Sequence, residues 1–172
     1  MENKSNFTKA VKATIYLGEI PLDVYQTNDG KYHLHIESVT SAIDEKNRDL
    51  ERFIKGKSEF ALDFKGSNLN SFDKVRVEGD EVIIISIPVP LATSYWHYRS
   101  KNRNKKADAI VQACMRESVE RRADSAFKVQ RTESDYNKIF AGNYEEVLGE
   151  NREEIKNRRL PGDDLYLPVE IN

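Results

Sequence analysis

The segment from residue 31 to residue 57, KYHLHIESVTSAIDEKNRDLERFIKGK, constrains the fold more than any other part of the chain. Its first six residues alternate between polar and apolar side chains, which is the period of a strand. Val39, Ala42 and Ile43 then recur at helical spacing, and Ser38 is placed to cap the helix that carries them. The segment therefore predicts a strand that leads directly into a short helix.

A second short helix is predicted after a polar break at residues 44–46. Asn47 is placed to cap it, and Leu50, Phe53 and Ile54 form its apolar stripe. Two short helices joined by a tight turn have the shape of a helix-turn-helix, whose second helix presents side chains to the major groove of DNA. An ordinary helical hairpin with a solvated outer face fits the same pattern, so this segment alone leaves both interpretations open.

The segments around the helical pair predict a small antiparallel sheet. Alternating apolar residues predict strands over residues 11–17 and 20–26, and the turn residues TNDG at 27–30 join the second strand to the next. A second hairpin is predicted over residues 74–87, which include the strand-prone run VIII. The expected fold class is therefore α+β, with a small antiparallel meander and a hairpin packed against the helical pair.

The second half of the chain is predicted to be mainly helical. A helix over residues 91–99 leads into a basic connector, SKNRNKK, at residues 100–106. Residues 107–127 then show the longest helical periodicity and predict a long amphipathic helix in the core. We expect one domain over residues 8–130, followed by an acidic C-terminal extension over residues 131–172. The extension is predicted to have helical parts on either side of a break at Gly142 and a strand-like end at residues 165–171.

Charge is distributed unevenly along the 172 residues. The net charge is −2, but residues 93–131 carry +6 and residues 132–172 carry −5. A concentrated basic segment can bind phosphate, because arginine and lysine neutralise phosphates while asparagine and serine donate neutral hydrogen bonds to them. A solvated loop between two helices would have the same composition, so the basic connector alone does not decide between the two.

Several function classes find no support in the motifs of the chain. No dinucleotide fingerprint, P-loop, HExxH or GxSxG motif is present, and no cofactor or metal is expected. His33 and His35 alternate on one strand, but no third ligand lies near them in sequence. The single cysteine, Cys114, excludes an internal disulfide framework. With no apolar run of membrane-spanning length, these features predict a cytoplasmic protein without membrane contact.

One string keeps a metal-dependent nuclease open as an alternative. Residues 59–65, EFALDFK, place Asp63 and Lys65 in an Asp-x-Lys arrangement at the end of a strand predicted over residues 60–64. Nucleases with a PD-(D/E)xK signature use such an acid on Mg²⁺ and such a lysine near the attacking water. Glu59 would be a further acid in this site. The upstream acid that those enzymes also need has only a poor match in this chain.

The order of these parts resembles the Bro-N and KilA-N-type domains of phage and bacterial regulators and antirepressors. The strings that carry the resemblance are ATIYLGEIPLDVYQTNDGKYHLHI, SVTSAIDEKNRDLERFIKGK, VIIISIP, YRSKNRNKKA and AIVQACMRESVERRADSAF, which span residues 13–127. The aromatic-rich WF…DV signature of many Bro-N domains is absent from residues 31–39. The resemblance implies DNA binding or interaction with a regulator, without enzymatic activity and without catalytic residues.

We therefore expect a small intracellular DNA-binding regulatory protein of phage-antirepressor type. Double-stranded DNA is the expected partner, and the sequence leaves open a protein partner, such as a repressor or a polymerase component, and a homodimer. A protein-binding module that never contacts DNA is the third alternative. The residues expected to contact DNA come from the second helix of the pair and from the connector: Arg48, Arg52, Lys55, Arg99, Lys101, Arg103, Lys105 and Lys106.

Overall fold

Five strands close into a small barrel in the computed structural model, which describes residues 7–67, 72 and 74–149. They are β1 (Thr8–Leu17), β2 (Ile20–Thr27), β3 (Tyr32–His35), β4 (Lys74–Val77) and β5 (Ile83–Pro88). Their order around the barrel is β1-β2-β3-β5-β4. Neighbouring strands are antiparallel, except that β1 and β4 pair in parallel and so close the barrel.

The described helices complete the mixed α+β fold that the sequence predicted. They are α1 (Ile36–Ser41), α2 (Asn47–Lys55), α3 (Val89–Lys101), α4 (Lys105–Phe127) and α5 (Glu133–Gly149), with a short 3-10 helix at Glu59–Phe64. The sheet differs from the expected open meander, because residues 8–10 pair with residues 75–77. No helix in the described part of the chain has the length and apolarity that crossing a membrane requires.

A continuous apolar core lies between the barrel and the helices. Strand residues contribute one side of it, and the stripes of α1, α2, α3 and α4 contribute the other. Its members are no more than 5 % exposed and include Leu22, Leu34, Ile87, Val39, Leu50, Phe53, Leu91, Tyr95, Trp96 and Ile110. A second, smaller buried cluster of Ala10, Tyr25 and Val75 lies on β1, β2 and β4. The barrel thus packs on the helices and keeps a small core of its own.

Three predictions in the N-terminal half are wrong in detail. Ser38, expected to cap the first short helix, lies inside α1, whose cap position belongs to His35. The strand predicted over residues 60–64 is the 3-10 helix, because the hydroxyl of Ser58 accepts the backbone N–H of Phe60 at 3.3 Å and starts a helical turn. Asn47 is the first residue of α2 rather than its cap. The cap position belongs to Lys46, whose backbone N–H donates to the carboxylate of Asp49 at 3.0 Å.

The helices of the C-terminal half are longer than predicted. α3 extends to Lys101 and α4 begins at Lys105, so the connector predicted over residues 100–106 shrinks to residues 102–104. α5 runs through Gly142, where the sequence predicted a break. Packing explains this continuity, because Phe140 is fully buried beside that glycine and a single glycine costs a helix only about 1 kcal/mol. The strand predicted over residues 165–171 lies outside the described residues.

Gly18 brings the barrel into close contact with α5, at a point where a side chain would not fit. It has a φ of +63° in the two-residue turn between β1 and β2. A Cβ atom on it would lie 3.0 Å from Cδ1 of Phe140 and 3.2 Å from the backbone of Ala141. The turn therefore needs glycine both for its conformation and for the close approach of α5.

We expect Gly18→Ala to lower the free energy of unfolding by about 1–3 kcal/mol more than Gly30→Ala does. Gly30 is the matched control, since its φ is +79° but no atom lies within 4 Å of an added Cβ. Both variants carry the backbone strain of about 1–2 kcal/mol, and only Gly18→Ala meets Phe140. Urea unfolding measures the difference. Equal losses would show that α5 does not press on this turn.

Candidate nucleic-acid interface

Helix α2 has two faces of opposite character. Its buried face consists of Leu50, Phe53 and Ile54. Arg48, Arg52 and Lys55 follow one another at i, i+4 and i+7, and all three are exposed. At about 100° per residue they lie within about 60° of one another, on the side opposite the buried face. We call these three residues the α2 cation row.

Two acidic residues flank the α2 cation row. Lys55 Nζ lies 2.7 Å from Glu51 Oε1, and Arg52 Nη1 lies 3.6 Å from Asp49 Oδ1. The cationic side chains are 61 % and 75 % exposed, so solvent screens both pairs and each contributes at most about 1 kcal/mol. Arg48 forms no ion pair with another described residue. The row can therefore exchange its weak intrahelical partners for phosphate at little cost.

The turn between α1 and α2 is held by the carboxylate of Glu45, which is 9 % exposed. Arg99 pairs with it and donates from Nε to Oε1 at 2.5 Å. Asn104 donates from Nδ2 to the same oxygen at 3.1 Å, and the hydroxyl of Tyr95 donates to Oε2. Burial, and then this hydrogen bond, raise the pKa of Tyr95 above its ordinary value. We call this arrangement the Glu45 clamp.

Side-chain donors also satisfy backbone carbonyls in and after α1. Trp96 Nε1 donates to the carbonyl of Val39 at 3.0 Å, and Asn104 Nδ2 donates to the carbonyl of Ile43 at 2.9 Å. The last carbonyls of a helix have no partner within the helix, so these bonds satisfy groups that burial would otherwise leave unpaired. Asn104 also caps α4, where its Oδ1 accepts the backbone N–H of Ala107 at 2.9 Å. The α1–α2 turn and residues 102–104 therefore lie against each other.

Three cations surround the turn at residues 102–104, between α3 and α4. Lys101, Arg103 and Lys105 are exposed and form no ion pair within the described part of the chain. Arg103 has a φ of +67°, in the left-handed region that reverses the chain between α3 and α4. We call these three residues the corner cations. Lys106 differs from them, because it lies 2.8 Å from Asp44 and this hydrogen bond raises its pKa.

A groove of about 330 Å³ runs between α2 and α3. Arg52 and Lys57 line it from the side of α2, and Tyr98 and Arg99 line it from α3. The ring of Phe53 lies 4.9 Å from that of Tyr98 beneath these side chains. Asp49 also lines the groove, so its walls carry three cations and one carboxylate over an aromatic base.

The eight residues predicted from the sequence to contact DNA have two different environments in the structure. Arg99 is only 32 % exposed and is engaged by Glu45, and Lys106 is held by Asp44. The other six residues are exposed on the α2 cation row and at the corner cations. Sequence reasoning missed Glu45 and Lys57. Lys57 follows α2 in a basic run, which was a usable signal, whereas Glu45 lies 54 residues from Arg99 and no spacing rule connects them.

The residues of the nuclease alternative do not have the arrangement that its signature requires. Glu59 and Asp63 lie on the 3-10 helix and Lys65 follows it, so none of them is at the end of a strand. All three are exposed. Within residues 7–67, 72 and 74–149, no group of three His, Cys, Asp or Glu side chains could hold a metal ion. His33 is 7 % exposed in the barrel, where its Nδ1 lies 3.3 Å from the hydroxyl of Ser86.

Comparison with protein-family models, with curated proteins and with solved structures finds no match to this chain. The resemblance to Bro-N and KilA-N-type domains therefore stays a prediction.

We expect Glu45→Ala to lower the free energy of unfolding by about 2–3 kcal/mol, because it leaves the guanidinium of Arg99 without its counter-ion in a half-buried position. Glu37→Ala is the control, since Glu37 is exposed on α1 and its loss should change stability by no more than about 0.5 kcal/mol. Chemical unfolding of both variants measures the difference. Equal stability of the two would mean that the Glu45 clamp contributes nothing to the fold.

Proposed function

We propose that this chain is a double-stranded DNA-binding regulatory protein of the Bro-N and KilA-N type, in which α2 enters the major groove. The α2 cation row is the observation that carries this proposal. It places Arg48, Arg52 and Lys55 in one exposed line, directly opposite the stripe that anchors α2 in the core. α2 therefore presents its three cations to any molecule that approaches its exposed face.

The dimensions of α2 suit this role. Its nine residues make a helix about 13 Å long, comparable to the width of the major groove of about 12 Å. Arg48 and Arg52 are one turn apart, so both can reach base edges or phosphates from one docking position. Arginine can bind the O6 and N7 atoms of guanine with two hydrogen bonds, which gives it the capacity to discriminate between sequences. Lys55 suits a phosphate at the far end.

The corner cations suit a supporting role on the DNA backbone. Lys101, Arg103 and Lys105 lie around the turn that the Glu45 clamp fastens to the start of α2. Cations beside a recognition helix bind phosphates and so set its position on the duplex. The clamp makes this arrangement rigid, because directional hydrogen bonds from Asn104 and Arg99 hold the two turns together. A rigid support reduces the entropy lost when the helix docks.

Acidic residues on another helix favour one orientation of the protein. α5 carries Glu133, Asp135, Glu145 and Glu146 but only one cation, Lys138. DNA repels this helix and attracts the α2 cation row and the corner cations. A protein with a net charge of −2 can therefore approach DNA productively when its charges are separated in this way.

The triple variant Arg48→Gln, Arg52→Gln, Lys55→Gln tests the proposal directly. We expect it to weaken binding to duplex DNA and to reduce the slope of log K against log salt by about 0.9 for each phosphate contact that is lost. Fluorescence anisotropy with a labelled duplex, titrated at several salt concentrations, measures both quantities. The control removes three exposed lysines on β1, β4 and α5, through Lys9→Gln, Lys74→Gln and Lys138→Gln. An equal effect of the two triple variants would overturn the assignment to α2.

The corner cations should affect binding without affecting sequence preference. Lys101→Gln, Arg103→Gln and Lys105→Gln together are expected to weaken all duplexes alike. Arg48→Ala or Arg52→Ala is expected to reduce discrimination between sequences by about 1–3 kcal/mol for a base contact. Competition against a random duplex library, with and without Mg²⁺, separates these effects. Cleavage with Mg²⁺ would favour the nuclease, and no binding at low salt would favour a module that binds only protein.

A further inference from the structure

The distal half of α4 is held to α5 by polar contacts. Asp124 is 7 % exposed and accepts hydrogen bonds from Tyr136 and Arg131, both at 2.9 Å. Arg121 makes two parallel hydrogen bonds to Glu133, at 2.8 and 2.9 Å. These bonds use the charged side chains on the inner side of the hairpin. The outer side of α4 takes no part in these bonds.

An apolar row occupies that outer side. Met115, Val119, Ala123 and Phe127 follow one another at intervals of four residues, which places them on one continuous ridge of the helix. Met115, Val119 and Phe127 are 65 %, 68 % and 82 % exposed, and Ala123 is also exposed. Single exposed apolar residues are normal, but a contiguous row of them marks an interaction surface. We call this the α4 outer row.

The charges beside the α4 outer row define the chemistry of its occupant. Arg122 lies on one edge of the row and Lys128 follows its end, and neither forms an ion pair with any described residue, whereas Glu120 lies on the opposite edge. An occupant that carries apolar side chains together with carboxylates would satisfy both features. A second copy of the row is a poorer occupant, because it would bring another Arg122 to the same interface.

The chain itself contains a segment of the required composition. Residues 163–171 read DDLYLPVEI, an apolar run with two aspartates before it and a glutamate near its end. They lie outside the described residues. α5 ends at Gly149, and Glu146 lies 3.2 Å from Arg116, so the chain leaves the hairpin close to Met115. The α4 outer row begins at the same end of the hairpin, with Met115.

The length of the intervening chain permits an intramolecular contact. Fifteen residues separate Gly149 from Leu165, and they can span up to about 50 Å. The whole of α4 is about 35 Å long, so every point on the row is within reach. A tethered segment also has an effective concentration in the millimolar range, so even a weak intrinsic affinity would keep the row covered.

We propose that residues 163–171 dock on the α4 outer row, with their apolar side chains on the row and their carboxylates toward Arg122 and Lys128. The contact adds a further layer to a two-helix hairpin that buries only one side of α4. It is independent of DNA binding and would exist whether or not the chain contacts DNA.

Thiol labelling of the full chain tests this contact. Ala123→Cys places a thiol in the row, and Lys138→Cys places a control thiol on the exposed side of α5. Cys114 contributes little background, because burial raises its pKa to about 11 and leaves little thiolate at neutral pH. The unsubstituted chain measures that background. We expect a maleimide to modify the thiol at position 123 about tenfold more slowly than the control thiol.

Two sets of variants identify the occupant. Replacing Leu165, Leu167 and Val169 by serine should raise the rate at position 123 to that of the control. Arg122→Glu should raise it as well, and adding Asp163→Lys and Asp164→Lys should restore slow modification. The proposal is overturned if the thiol at position 123 reacts as fast as the control, or if protection survives the serine substitutions. Protection that increases with protein concentration would also overturn it, by assigning the row to a second copy.

Discussion

The position of α2 depends on one buried carboxylate. Glu45 accepts hydrogen bonds from Tyr95, Arg99 and Asn104, and these residues belong to α3 and to the turn before α4. A carboxylate removed from water is tolerated only when such partners replace its hydration. The apolar stripe of α2 secures its burial, but apolar contacts are not directional and allow a helix to slide or rotate. The directional bonds of Glu45 select one orientation.

The barrel provides the platform on which this arrangement is built. α1 and α2 lie in the connection between β3 and β4, so closing the barrel also positions the helical pair. The pairing of residues 8–10 with residues 75–77 removes two sheet edges that would otherwise be open to other chains. Val75 and Tyr25, both buried, belong to the small core cluster of the barrel next to this pairing. The closed barrel therefore fixes the strands between which the helical pair is inserted.

Charged residues have three separate roles in this molecule. The buried Glu45 and the partly exposed Arg99 stabilise the fold, and Asp124 and Arg121 hold the α4–α5 hairpin. The exposed cations on α2 and at the corner have no strong partner within the described residues, which leaves them available for an external anion. Only the first two roles need defined geometry. The third needs exposure and a rigid support, and the Glu45 clamp provides that support for α2.

Local patterns in the sequence were sufficient for the apolar stripe and the exposed cation row of α2. They were not sufficient for α4, which the sequence predicted to lie in the core but whose Met115 and Val119 are 65 % and 68 % exposed. The buried face of α2 and the spacing of Arg48, Arg52 and Lys55 depend on residues no more than seven positions apart, so helical geometry alone determines them. The turn at residues 27–30 is equally local. The α+β class followed from such segments taken together, because strand-like and helix-like periods occupy separate parts of the chain.

Tertiary structure alone decided the rest. Whether Arg99 faces solvent or Glu45 depends on a residue 54 positions away, and barrel closure brings Thr8 to Val75. Residues 60–64 have a strand-like composition, yet the cap at Ser58 and the burial of Ala61 make them a 3-10 helix. Gly142 lies within a helix because Phe140 is anchored in the core. Each of these outcomes depends on contacts between distant segments, and local propensities of about 1 kcal/mol are too small to oppose them.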